Sequence, residues 1–300
     1  MSVVINTNVD ALKIQNTLTS ATNKLSQSMQ RMSSGLKINS AKDDAAGTVI
    51  SARMNVQLSG NKICQNNIQN ANALMSTAEG NIDVVLDNVS RIRDLTLDAK
   101  NGTHSKEEVA AIQQEIDERI AEIDRVSSSA KFSQLQLFGD ANLSANGVKF
   151  QVGQNADADG KSDNVITAKK EIFGAVNFSA LTKAEGRATD GVKFDLAAIA
   201  DGTATGVYST YDKCLQALDD AVDNLTERKS LIGGAQGRLS SALDTLTTQY
   251  SNLSSAKSII TDSDIAAEAS TFTQNQILQQ VSSSLLAQAN QAPSIAMSLI

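Results

Sequence analysis

The side chains able to do chemistry are few and far apart in this chain. His104 is the one histidine, in an Asn101-Gly-Thr turn before a helical pattern. A zinc site needs further imidazole or thiolate ligands at close spacing. No His-Glu-x-x-His run and no cysteine cluster accompanies His104. Cys64 and Cys214 are too few for a disulfide framework. Cys64 falls within an apolar heptad run, which predicts a small buried hydrophobe. Cys214 opens a second run beside Leu215. If the two runs are antiparallel helices, a rise of ~1.5 Å per residue separates the sulfurs by tens of ångströms, out of bonding reach. Both are predicted to be free thiols. Asp43 and Asp44 are adjacent carboxylates, but they precede a helical pattern, where acidic residues serve the positive end of the helix dipole. Gly139, Gly147, Gly153 and Gly160 lie too far apart to cradle a phosphate. The chain therefore reads as having no catalytic residue, no metal site and no cofactor, and it is not expected to be an enzyme.

The elements that would have to position such groups carry the stronger pattern. The chain has 300 residues, no Trp, a single Pro (Pro293), 3% aromatic residues and a net charge of −7. An acidic balance argues against a nucleic-acid partner, which needs cationic surface to displace phosphate counterions. No window approaches the ~20 consecutive apolar residues of a membrane span. Met1 to Asp10 has neither the cationic stretch nor the apolar stretch of a cleavable leader. Few aromatics with abundant Ala, Leu, Ile and Val suit long helices better than a compact enzyme core.

From Cys64 the residues Ile68, Ala71, Met75, Ala78, Ile82, Val85, Val89 and Ile92 step alternately by three and four, which keeps one stripe facing a partner helix. The frame runs back through Asn61, Gln57, Met54 and Ile50, predicting a helix from about Asp43 to Ala99 with Ser40-Ala-Lys-Asp43 as a capping-box start. A second run from Tyr211 to Ile260 has the same alternation, interrupted by Lys229, Gln236 and Lys257, polar occupants that set register at a cost in stability. Gly233, Gly234 and Gly237 within it are weak points, or small residues that let the helix bend or a neighbour approach. Ser105-Lys-Glu-Glu108 is a capping box before a third helix through Val109, Ile116 and Val126. Between Gly139 and Gly206 the helical period disappears, and Val148–Val152 and Val192–Leu196 alternate as half-buried strands do. The expected fold is mainly α: long antiparallel heptad-repeat helices from both ends of the chain, with a small β-hairpin region in the middle.

The two ends repeat the heptad theme on poorer helix formers. Leu18, Leu25, Met29, Met32 and Leu36 stand at one end, and Ile265, Phe272, Ile277, Leu278, Val281, Leu285 and Leu286 at the other, among many Ser, Thr, Asn and Gln residues. Isolated helices of this quality are marginal in water. Residues 1–42 hold five Lys or Arg against Asp10 alone, while no Lys or Arg follows Thr261, so the ends carry opposite local charge.

These ends resemble a known family. Asn6-Thr-Asn-Val9 and Met32-Ser-Ser-Gly-Leu-Lys-Ile-Asn-Ser-Ala-Lys-Asp-Asp-Ala-Ala-Gly47 are similar to the N-terminal pattern of bacterial flagellins. Gln276-Ile-Leu-Gln-Gln280 and Leu286-Ala-Gln-Ala-Asn-Gln291 are similar to their C-terminal pattern. Thr77-Ala-Glu-Gly80, Arg91-Ile-Arg-Asp-Leu95 and Glu122-Ile-Asp-Arg-Val126 match internal segments, so the resemblance covers about residues 1–138 and 207–300. It implies a short flagellin whose outer domains are minimal or absent. Residues 1–42 with 261–300 would form an inner paired-terminal coiled coil, 43–138 with 207–260 a helical bundle, and 139–206 a short variable β/loop cap. Leu18, Leu25, Met32, Ile277, Leu278, Val281, Leu285 and Leu286 would pack the inner core of a helical filament built from many copies of the chain. The remaining implied partners are the hook-associated junction and cap proteins, an export chaperone and the flagellar secretion apparatus. The subunit would leave the cell unfolded and reside in the extracellular flagellum. Arg91, Leu95 and Glu115 match positions that contact the vertebrate innate receptor for flagellin, with Ser90 and Asp94 departing from the usual Gln and Glu. The related filament–hook junction protein, or a secreted coiled-coil adhesin, would share many of these features.

Overall fold

The computed structural model describes residues 8–155, 164–182, 194–203 and 210–297. They fall into two compact units, residues 1–59 with 249–300 and residues 60–248.

In the first unit, helix α1 (Val9–Ser34) starts where the Asn8 side chain accepts the Ala11 amide, and it stops at left-handed Gly35, whose N–H returns to the Arg31 carbonyl. Glycine adopts this conformation without the steric cost of a Cβ. Helix α8 (Ile265–Met297) starts on the Asp264 carboxylate, which accepts the amides of Ala266 and Ala267. The two helices are antiparallel: Asn8 Nδ2 donates to Ala289 O at 2.8 Å, Gln279 Nε2 to Thr22 Oγ1 at 3.3 Å, and Arg31 pairs with Glu268 at 3.8 Å. An isolated antiparallel bridge, Leu36 to Asp262, ties the turns that precede α2 and α8.

Helices α2 (Ala45–Ala99) and α7 (Tyr211–Thr261) contribute to both units. The start of α2 differs from the expected capping box. Asp43 accepts the amides of Asn39 and Ser40 and closes the preceding turn, and Asp44 caps the helix by accepting the Gly47 amide at 2.9 Å. The Ser40 N–H is the main reason the Asp43 carboxyl is held below the usual carboxylate range.

In the second unit the α2 stripe is fully inside: Ile68, Met75, Ala78, Ile82, Val85, Val89 and Ile92 have no exposed surface. Helix α7 buries Leu218, Leu225, Ile232 and Leu239 as completely. The alternate stripe positions on α7 shift by one residue, with Cys214 and Ala221 buried while Leu215 and Val222 are half-buried. A helix facing more than one neighbour needs a wider apolar face than a two-stranded seam. Register is fixed at the polar interruptions: Lys229 meets Asp83 at 2.6 Å, and Gln236 meets Glu79 at 3.2 Å. Helix α3 (Lys106–Ser129) carries the complete Ser105–Glu108 capping box and adds Val109, Ile116, Ile123 and Val126 to the core.

The segment between α3 and α7 is short and irregular. Strands β1 (Lys131–Phe132) and β2 (Leu135–Gln136) make a hairpin, and helix α4 (Ala141–Asn146) follows. Strand β3 (Val148–Gln151) pairs antiparallel with β4 (Val165–Ala168). A 3-10 turn at Lys170–Phe173 and the short helices α5 (Phe178–Leu181) and α6 (Leu196–Ala200) complete it. The strand expected at Val192–Leu196 is not present. Its first two residues lie outside the described ones, Phe194 and Asp195 are assigned to no strand, and Leu196 begins α6. Its alternation has another cause. The Gln113 side chain donates to Phe194 O at 2.9 Å and accepts from Leu196 N at 2.8 Å, standing in for a neighbouring strand. Phe194 and Leu196 are thereby both turned into the core.

Candidate functional site

Among the described residues, no group of His, Cys, Asp and Glu side chains could hold a metal ion. No described helix is long and apolar enough to cross a membrane. The His104 Nε2 atom lies 3.2 Å from Asp98 and its Nδ1 atom 3.6 Å from Glu108, whose carboxylate is committed to the Ser105 amide. Those contacts fasten a turn. Cys64 and Cys214 are both free and buried, and burial pushes the Cys214 thiol up to about 12. A thiol held neutral in this way is a poor nucleophile.

The informative feature is where apolar side chains go in the first unit. Its one buried apolar residue among those described is Ala21. The α1–α8 seam is otherwise filled by small or polar groups, with Ser28, Asn275 and Ser282 fully inside. Asn275 and Thr261 satisfy themselves on backbone carbonyls one helical turn back. Leu18, Leu25, Met32 and Leu286 sit at the edges of this seam, half-buried. Ile277, Leu278, Val281 and Leu285 lie outside it and are exposed, Ile277 by 57%. The same unit also exposes Val9, Leu12 and Met29 on α1, Val49 and Val56 on α2, and Ile259 on α7, the last by 83%. Scattered exposed leucines need no explanation, whereas rows of them on helices without a buried core are candidate contact surfaces. The heptad-spaced pair Val49 and Val56 was missed by sequence reasoning, which followed the neighbouring frame through Ile50 and Met54. An outward apolar row looks the same as an inward one until the partner helix is placed.

The residues expected to meet a receptor lie in the second unit. Arg91 Nε and Glu115 Oε1 form an ion pair at 2.9 Å between α2 and α3, with both side chains at the surface. Glu115 is the main reason the Arg91 guanidinium holds its proton more tightly than usual. Leu95 is placed differently, 6% exposed and part of the core. Only the ion pair offers substantial surface to a partner.

Two family models match the chain. The bacterial flagellin N-terminal helical region covers residues 5–143, and the bacterial flagellin C-terminal helical region covers residues 215–300. The chain is 35% identical over 318 residues to a flagellin of Xenorhabdus nematophila, covering 100% of each chain. It is 34% identical over 305 residues to a flagellin of Bacillus subtilis strain 168, covering 99% of each. A solved structure described as a flagellar hook-associated protein from Vibrio parahaemolyticus aligns with a TM-score of 0.55 at 16% identity, over 73% of this chain and 99% of that one. At that identity the likeness is one of fold.

Proposed function

The chain belongs to the bacterial flagellin family, a family of structural proteins and not of enzymes, and on that premise we propose that its paired ends are the part that polymerises. It is a structural subunit of the flagellar filament. The observation that carries the proposal is the first unit's inverted economy, in which apolar residues of α8 and α1 face outward around a seam of Ala, Ser and Asn. Burial of apolar surface is worth roughly 25 cal/mol per Å², which neighbouring copies packed on this unit would supply. Ile277, Leu278, Val281 and Leu285 would then contact other subunits, while Leu18, Leu25, Met32 and Leu286 close the pair within one subunit.

In this reading residues 1–42 with 261–300 form the inner layer of the filament, 43–138 with 207–260 the bundle around it, and 139–206 a small outer cap. The same exposed ends suit the hook-associated junction and cap proteins at either end of the polymer. Before assembly they suit an export chaperone. Passage through the flagellar secretion channel as an unfolded thread fits a chain with a single Pro and no disulfide, since slow X–Pro isomerisation and crosslinks both hinder threading and refolding. Recognition by the innate receptor would rest on the exposed Arg91–Glu115 pair, with Leu95 supporting the α2 backbone from beneath. Arg91→Ala in a receptor reporter assay with monomer is expected to reduce the response. An unchanged response rules this contact out.

Deleting residues 287–300 tests the main proposal. Filament formation is expected to be abolished, with the far-ultraviolet signal and cooperative unfolding of the bundle retained. Filaments of normal appearance from the truncated chain would contradict it.

A further inference from the structure

The turn between α2 and α3 contains a reactive backbone pair that neither the filament reading nor the family assignment uses. Three described positions join Asn or Asp to Gly: Asn101–Gly102, Asn146–Gly147 and Asp201–Gly202. Glycine imposes no side-chain obstacle when its amide nitrogen approaches the preceding side-chain carbonyl. What decides reactivity is then whether that nitrogen is free and whether the backbone can turn.

At two of the pairs the nitrogen is engaged. Gly147 N–H donates to Leu143 O at 2.8 Å, and Gly147 is pressed against the Ala168 carbonyl so closely that a Cβ there would lie 2.1 Å from the oxygen. Asn146 itself is held in the last turn of α4. Gly202 N–H donates to Ile199 O at 3.1 Å, and the Asp201 carboxylate is paired with Lys106. At Asn101 the situation is reversed. Both residues are exposed, and neither the Gly102 N–H nor the Asn101 side-chain amide has a hydrogen-bond partner among the described residues. A Cβ added at Gly102 would meet nothing within 4 Å.

We propose that Asn101 is a site of spontaneous backbone modification, converting to aspartate and isoaspartate through a cyclic imide. The Gly102 amide nitrogen, losing its proton to solvent base, attacks the Asn101 side-chain carbonyl carbon. The new N–C bond closes a five-membered ring as the bond to the side-chain nitrogen breaks, and that nitrogen leaves with a proton as ammonia. Water then adds to either ring carbonyl. Opening at the side-chain carbon yields aspartate, and opening at the backbone carbon yields isoaspartate, whose main chain is longer by a methylene. No oxidation or reduction takes place.

Either product places a new carboxylate beside Asp98 and Glu108 in a turn that is already acidic. Isoaspartate also lengthens the main chain between the two bonds that shape the turn, Asn101 N–H to Asp98 O at 3.0 Å and His104 N–H to Asn101 O at 3.3 Å. The site thus ages the α2–α3 connection.

The test uses the purified full-length monomer, held at mildly alkaline pH below its unfolding temperature and digested with pepsin in acid, where the attacking nitrogen stays protonated. Mass spectrometry reads amide-to-acid conversion at each asparagine, and methyl transfer by an isoaspartate methyltransferase identifies the rearranged product. Asn101 is expected to convert at least about tenfold faster than Asn146, a ratio equivalent to ~1.4 kcal/mol and of the order of one backbone hydrogen bond. In denaturant the two rates converge. Gly102→Ala is expected to suppress conversion without loss of stability, because the added methyl meets nothing and Gly102 is not among the glycines with positive φ. Equal rates at Asn101 and Asn146 in the folded chain, or conversion undiminished by Gly102→Ala, would overturn the proposal.

Discussion

Two regions of one chain use the same heptad spacing to opposite ends. Between Gly60 and Thr248 the stripes of α2 and α7 are apolar but for Asn61, Lys229 and Gln236, with Ile82, Val85, Leu225 and Ile232 fully enclosed. In the paired ends the stripe positions Ala21, Ser28, Asn275 and Ser282 are enclosed, while the larger apolar residues stand at the rim or outside. Periodicity therefore says that a helix has a partner. The size of the residues on the stripe says whether that partner suffices. A seam of small and polar groups gains little from burial against the entropy of ordering two long helices, so in the proposed reading the ends would depend on further copies and the bundle would not.

The sharpest way to break this contrast is to remove a large side chain from each region. Ile82→Ala is expected to destabilise the monomer by about 2–5 kcal/mol in urea unfolding, because it leaves a cavity in a fully buried site. Leu25→Ala is expected to cost about 1 kcal/mol or less, since half-burial forfeits only part of the transfer energy. Similar losses at the two positions would dissolve the distinction.

Helix caps give a second comparison of smaller size. Ser105→Ala breaks the capping box of α3 and is expected to lower bundle stability by about 1 kcal/mol. Asn8→Ala removes the equivalent bond at α1 and the Asn8 bond to Ala289 O, and on the account that α1 opens independently of the bundle it is expected to leave the monomer's unfolding midpoint unchanged. A midpoint shift as large as that of Ser105→Ala would join the two regions thermodynamically.

Gly233 and Gly237 lie on the exposed face of α7, and an added Cβ at either meets nothing within 4 Å. Alanine at each is expected to stabilise the monomer by about 0.5–1 kcal/mol, read as a higher Tm. If the variants still assemble, the glycines are tolerated weak points. If stabilised monomers fail to assemble, a neighbouring copy needs the small face.

The smallest effect expected is in acid. The carboxyls of Glu108, held mainly by the Ser105 N–H, and Asp262, held mainly by the Ser258 hydroxyl, are lowered from 4.5 and 3.8. Such groups contribute stability that is fully present above the unfolded values and is lost as pH falls through the lower folded ones. Thermal unfolding, followed in the bundle for Glu108 and in the paired ends for Asp262, should therefore be flat above about pH 5 and decline slightly below about pH 4. A decline that begins near neutrality would point to a group other than these caps.

Much of the bundle is legible in the sequence. The stripe from Cys64 to Ile92, the Ser105 capping box and the polar register positions Lys229 and Gln236 all stand where spacing places them, because local pattern and tertiary burial agree there. The burial of Leu95 is not legible there: after the step from Val89 to Ile92 the alternation leads to Thr96, which is fully enclosed, and Leu95 flanks it. What spacing could not reveal are side chains that serve distant backbone. Gln113 imitates a strand for Phe194 and Leu196, Asp124 accepts the Phe178 amide at 3.0 Å, and Arg228 donates to Gly174 O at 2.8 Å. Each looks in sequence like an ordinary polar residue on a helix. The partner of β3 was obscure for the same reason, with Val165–Ala168 too short and too weakly alternating to stand out against 192–196. For the paired ends the heptads were visible, but the outward turn of Ile277, Leu278, Val281 and Leu285 depends on where α1 lies against α8.

Hydrogen exchange on the free monomer and on the assembled filament tests the central claim most directly. In the monomer, amides of α1 and α8 are expected to exchange orders of magnitude faster than those of α2 around Ile82 and α7 around Ile232, and in the filament to become as slow as the bundle's. Slow exchange along α1 and α8 in the monomer would show that the pair is stable by itself and contradict the account.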